Sequence, residues 1–276
     1  MFYTGASAAA VVFVLLLVWY PESPSLLLAK GKSQDHIKKI LVRAKPRFVF
    51  DEGVRITSAD YESVSSYPVK ALFAEGRART TLLIWAMFFA NLIALYSIQQ
   101  WLPYAMHQSG ADIKLAVSAG GIFQAGGVLG ALVYSRVVDK FGYPFYLLSG
   151  CFVLAAVSFL LLGSPAISAD PKIVTVFCAG LFVAGTQITL NSVATTLYPT
   201  AIRATAISWA VAVGRIGGVG GPILSGYLLQ HGVSADGVLS GGAVPSTVAA
   251  IAALTLALSP HSSMKWNRNL KREKSA

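Results

Sequence analysis

One arginine stands inside a long apolar stretch. Arg215 falls within residues 204–229, a run otherwise free of charged side chains. An ionised group surrounded by hydrocarbon is costly and normally faces a cavity or a partner. The planar donor fork of a guanidinium matches a carboxylate at two points. Two readings follow: Arg215 receives the carboxylate of a small molecule, or it pairs with a carboxylate of another helix. The second finds no partner in this sequence. Glu22, Asp35, Asp51, Glu52, Asp60, Glu62, Glu75, Asp112, Asp170, Asp236 and Glu273 all lie outside the apolar runs, and Asp139 sits at the end of one. His36, His107, His231 and His261 lie outside them too. A proton path through hydrocarbon uses an intramembrane Asp, Glu or His, so no such relay is evident.

Amides also stand inside apolar runs, among them Asn91, Gln99, Gln124, Gln187 and Asn191, with Thr195 beside them. Gln187, Asn191 and Thr195 recur every fourth residue and so share one helix face. They can bind a carboxylate or ring hydroxyl in a central cavity. Equally they can join helices, at about 0.6 kcal/mol per hydrogen bond. Tyr96, Trp101 and Phe123 can offer aromatic contacts, although aromatic residues near span ends more often anchor at the lipid interface.

These side chains need a scaffold, and composition says which kind. Hydrophobic residues make up 55% of the 276, and charged residues only 12%. A soluble domain normally carries about 25% charge, so lipid is the expected solvent. A spanning helix needs about 20 mostly apolar residues. Seven candidates are present, at 2–20, 81–101, 115–138, 143–162, 173–197, 204–229 and 241–258. The first is expected to be a true membrane helix and not a signal peptide, because residues 1–10 hold no Lys or Arg for the required basic start.

The net charge of +10 raises nucleic acid as a partner. That reading requires a clustered basic surface, and here the basic residues fill the gaps between apolar runs. When the spans alternate, nearly all of them fall on one side. They include the series from Lys30 to Arg79, Arg136 and Lys140, Arg203, and the tail from Lys265 to Lys274. The other side receives Lys114 and Lys172. The positive-inside rule makes the crowded side cytoplasmic, with the N-terminus outside and the C-terminus inside the plasma membrane. The expected organisation is a membrane helix at 1–20, a cytoplasmic loop at 21–80, a six-helix bundle at 81–258 and a basic tail at 259–276. In the loop, Ser33 can cap a short basic helix with Ile37, Ile40 and Leu41 on one face.

Two glycine-rich stretches, Gly126-x-x-x-Gly130 and Gly217-x-x-x-Gly221, allow close helix contact. No strand precedes them, so they are not nucleotide loops. Pro222 is expected to kink its helix. Cys151 and Cys178 sit in apolar runs without metal-ligand spacing and read as packing residues. No nucleophile triad or metal cluster is present, so an enzyme is not expected, nor is a cofactor.

The order of elements and several motifs resemble a major facilitator superfamily transporter from its sixth span onward. Pro21-Glu22-Ser23-Pro24 is similar to the segment that closes span six, and Ser135-Arg-Val-Val-Asp139-Lys140-Phe-Gly142 to the facilitator loop motif. The loop motif departs from the usual pattern at Ser135 and Tyr143. Leu72-Phe-Ala-Glu-Gly-Arg77, Thr81-Leu-Leu-Ile-Trp85, Trp101-Leu-Pro103, Tyr198-Pro-Thr-Ala-Ile-Arg203-Ala-Thr205, Gly214-Arg215-Ile-Gly-Gly218 and Gly221-Pro222 together resemble the aromatic acid/proton symporters.

The resemblance implies an all-α facilitator fold, a C-terminal six-helix bundle preceded by one further span. Spans one to five and the acidic first-span motif have no counterpart in the sequence. It also implies proton-coupled import of a benzoate-type or hydroxybenzoate-type acid, with substrate near the midplane between two halves. The substrate-side candidates are Arg215, Gln187, Asn191, Gln124, Gln99 and Asn91. The cytoplasmic gate would comprise Asp139, Lys140, Gly142 and Arg203, with Asp139 set against the positive start of the helix near Arg203; alternatively Asp139 and Lys140 are plain loop charges. A chain of this extent is expected to need a separate N-terminal half, as from a split gene, and not to transport by itself. A seven-span receptor matches by count, but the last span has no lysine for a retinal linkage and the long insert is unlike a compact bundle.

Overall fold

The computed structural model describes residues 11–15 and 69–259. Residues 11–15 are helical, inside the first expected span. The rest of that span, the Pro21–Pro24 motif, the short helix after Ser33 and the basic tail lie outside the described residues.

From residue 69 onward the described chain is helical throughout. After a 3-10 turn at Val69–Leu72 come α1 (Ala78–Gln108), α2 (Ile113–Phe141) and α3 (Pro144–Leu162). Then follow α4 (Ala169–Ala179), a π-helical turn (Gly180–Ala184) and α5 (Gly185–Leu197). The last elements are α6 (Thr200–Gln230), α7 (Ala235–Gly241) and α8 (Ala243–Ala257). Six of these stretches are long and apolar enough to cross a membrane: α1, α2, α3, Pro171–Leu197, Ile202–Gln230 and Ala235–Ala257. They are the six expected spans after the first. The final one begins earlier than residue 241, because the Ser234 hydroxyl accepts from the Gly237 N–H and caps a helix that the apolar count missed. Pro144 opens α3 at a position where no N–H is needed. Pro222 lies inside α6, which continues through it as one helix.

Helix α1 is the hub. It packs along α6 and α8 and also meets α2; α2 lies against the α4–α5 span, and α8 covers α3. The close pairs depend on glycine. A Cβ on Gly130 would sit 2.6 Å from the Leu181 carbonyl oxygen, and one on Gly221 2.8 Å from that of Ile93. Both expected small-residue motifs therefore mark real contacts. Gly120, Gly121 and Gly220, in the same glycine-rich stretches, meet no neighbour within 4 Å.

Two apolar clusters stack along the bundle. One holds Phe88, Phe152, Leu197 and Leu256; the other holds Ile98, Phe123, Phe159 and Leu239. Helix α1 leaves the first cluster at Ala90 and enters the second at Ala94, while the fourth span passes from Val183 in one to Leu190 in the other. Asn91 and Gln187 fall at this boundary.

Each end has its own tie. At the end where α1 starts, the Tyr198 hydroxyl donates to Thr81 Oγ1 (3.1 Å), which donates to the Leu72 carbonyl (2.8 Å). Burial, the largest influence, pushes the Tyr198 phenol above its ordinary range, so it stays a neutral donor. Trp85 stacks on Trp209 and takes Phe73 edge-on beside this tie.

Candidate functional site

Asn91 is fully buried on α1 and Gln187 nearly so on α5. The Asn91 amide nitrogen donates to the Val183 carbonyl (3.2 Å) and to Gln187 Oε1 (2.8 Å). Gln187 Nε2 donates onward to Asn191 Oδ1 (3.2 Å), and Asn191 is exposed. The amides thus form a line from the interior to the open face of α5. Thr195, on the same face, turns its hydroxyl back to the Ser192 carbonyl of its own helix. Gln99 on α1 donates to Gln124 on α2 (3.3 Å), and both are exposed.

Arg215 is exposed on α6, and among the described residues no carboxylate pairs with it. It lies about 18 Å along the helix from Arg203 at ~1.5 Å per residue. Its direction follows from its neighbours at 3.6 residues per turn. Gly214, Gly217 and Gly221 face α1. On one flank Leu224 and Leu228 line an apolar groove of about 450 Å³ with Phe89, Ile93, Val244 and Val248. Arg215 occupies the opposite flank, toward the side where Gly218 meets the Tyr96 ring and Gly226 meets Trp101. On that side α1 exposes Tyr96 and Gln99. Trp101 is half-buried and donates its indole N–H to the Pro222 carbonyl. Phe123, by contrast, is buried in the second cluster and cannot meet a ligand.

The gate residues are only partly brought together. Gly142 takes a left-handed conformation (φ 71°) that ends α2, which explains the glycine of that motif. Asp139 and Lys140 are exposed on the last turn. Among the described residues no ion pair joins Asp139 to another side chain. Helix α2 packs on α1 and the fourth span, while α6 packs chiefly on α1.

One cluster escaped the sequence reading. Lys172, treated there as a loop charge, is 1% exposed and pairs with Asp236 at 2.7 Å. Its ammonium also donates to Ser109 Oγ (2.9 Å), whose hydroxyl donates to Asp236 (3.1 Å). Lys172 and Asp236 each stand at the start of a span running in the same direction, but spacing alone does not show that they meet. Among the described residues there is no group of His, Cys, Asp and Glu that could hold a metal.

Comparisons with known proteins agree with the fold. The sequence model of the Major Facilitator Superfamily matches residues 1–222 and 122–275. The chain is 32% identical to a 4-hydroxybenzoate transporter of Acinetobacter baylyi over 95% of its own length and 57% of the relative's. It is 30% identical to a gallate transporter of Pseudomonas putida over 87% of its length and 54% of the relative's. It is 35% identical to a 3-(3-hydroxy-phenyl)propionate transporter of Escherichia coli over 71% and 48%. The chain therefore spans about half the length of these relatives. All-helical from residue 69 through the described bundle, with six membrane-length helices and matched along nearly its whole length by the family, this chain belongs to the major facilitator superfamily.

Proposed function

We propose that this bundle is the C-terminal wall of a cavity that carries an aromatic carboxylate, of the benzoate or hydroxybenzoate kind, across the plasma membrane. The observation that carries the reading is Arg215: a guanidinium deep in a span, exposed, and without a carboxylate partner among the described residues. A fixed cation of this kind matches the carboxylate that benzoate-type acids share. Gln99, Gln124 and Asn191 add neutral polar groups on the exposed face, suited to a carboxylate edge or a ring hydroxyl, and Tyr96 adds an aromatic surface. The relatives named above support the substrate class.

In a complete facilitator the other wall belongs to a first six-span half. Proton coupling is assigned to that half. The described spans carry acids only near their ends, at Asp139 and Asp236. The N-terminus is placed outside and the basic tail in the cytoplasm, from the charge distribution. Asp139, Lys140, Gly142 and Arg203 lie on the cytoplasmic side in this arrangement and act as gate elements toward the first half.

Binding of radiolabelled 4-hydroxybenzoate to the full chain in lipid nanodiscs tests the reading. Arg215→Gln is expected to weaken binding at least tenfold, about 1.4 kcal/mol, with Arg215→Lys recovering part of the loss because it lacks the two-point fork. Unchanged affinity in Arg215→Gln, or no binding by the parent chain, overturns it.

A further inference from the structure

The amide line has a direction, and the backbone sets it. The Val183 carbonyl can only accept. It lies in the π-helical turn, where Gly185 N–H reaches back to the Gly180 carbonyl and the regular i→i+4 ladder is interrupted. Asn91 must therefore turn its NH₂ toward Val183, and the same NH₂ meets Gln187 Oε1. Gln187 is left with its own NH₂ for Asn191 Oδ1. Asn191 then turns its Oδ1 toward Gln187 and its NH₂ toward the open face. Reversing Asn91 would set its oxygen against two acceptors. The arrangement has a cost: Asn91 Oδ1 is buried without a partner among the described residues, which is normally unfavourable.

We infer that Asn91 is a positioning residue that fixes the polarity of the Asn91–Gln187–Asn191 relay, so that its exposed end presents N–H donors to a ligand oxygen. The substrate class that this end selects is an acceptor-rich group, a carboxylate above all, over a neutral group that must donate. The inference rests on the carboxylate-site reading and adds a ligand-independent prediction to it. Asn91 itself, fully buried, touches no ligand. It acts through Gln187, at the level where the two apolar clusters meet.

Two readouts on the full chain in nanodiscs separate this relay from the site reading. The first is hydrogen exchange of the ¹⁵N-labelled side-chain amides without ligand. The Asn91 and Gln187 NH₂ protons should exchange slowly and those of Asn191 quickly. Asn91→Leu should speed Gln187 exchange at least tenfold, since its oxygen is no longer held. The second readout is the ratio of affinities for 4-hydroxybenzoate and 4-hydroxybenzamide. That ratio should fall roughly tenfold in Asn91→Leu and in Asn191→Leu, and no further in the double variant, because both act through one chain of bonds. Gln187→Met cuts the same line at its middle and replaces Asn91→Leu should that variant not fold. Gln187 protons as labile as those of Asn191 in the parent chain, or an unchanged ratio in the relay variants, overturn the inference. A parent chain with slow Gln187 exchange but no preference for the carboxylate overturns the site reading and leaves the relay's polarity standing.

Discussion

Two basic side chains in this bundle meet opposite fates. Lys172 is 1% exposed and held by Asp236 and Ser109; Arg215 is exposed, and no described carboxylate answers it. The first ties the end of α1 and the starts of α4 and α7 into one knot, as a buried charge with a partner should. The second contributes nothing visible to the cohesion of the bundle. It stands on a flank of α6 away from the apolar groove on the other flank. A paired cation is explained by the fold. An unpaired one in hydrocarbon calls for something outside it.

The largest expected effect breaks the explained charge. Asp236→Ala should destabilise the bundle by about 3 kcal/mol in reversible micelle unfolding, because it strands the Lys172 ammonium. The double variant Lys172→Met, Asp236→Leu should recover most of that loss, since an apolar pair can replace a buried ion pair. A double variant as unstable as Asp236→Ala would mean that the knot depends on its charges and not on packing.

A smaller effect comes from helix contact. Gly130→Val should cost about 1–3 kcal/mol, because its Cβ would press on the Leu181 carbonyl, while Gly120→Ala, with no neighbour within 4 Å, should cost nothing. Equal losses at the two would show that the glycines act through the backbone and not through contact.

The smallest expected effect sharpens the comparison most. Arg215→Gln should leave unfolding within about 0.5 kcal/mol of the parent chain. A loss comparable to that of Asp236→Ala would reveal a structural partner for Arg215.

Much of this was legible in the sequence. Apolar runs mark spans because lipid demands about 20 residues of hydrocarbon, and all six described spans fall where the runs predicted. Helix ends were less legible. Polar caps such as Ser234 extend a helix beyond its apolar stretch, which is why the last span begins at Ala235 and not at 241. Spacing alone grouped Gln187 with Asn191, but it could not show that Asn91 anchors them, since that contact joins residues distant in sequence. The same limit hid the Lys172–Asp236 pair and kept Phe123 among possible ligand contacts.

The most direct test of the account is thermal protection by 4-hydroxybenzoate, measured side by side on the parent chain, Arg215→Gln, and the Lys172→Met, Asp236→Leu double variant. A ligand at 100 times its dissociation constant stabilises a folded protein by about 2.7 kcal/mol. The account predicts full protection of the parent chain and of the double variant, and little or none of Arg215→Gln. Equal protection of Arg215→Gln would contradict it, and would place the ligand somewhere other than the face that this arginine dominates.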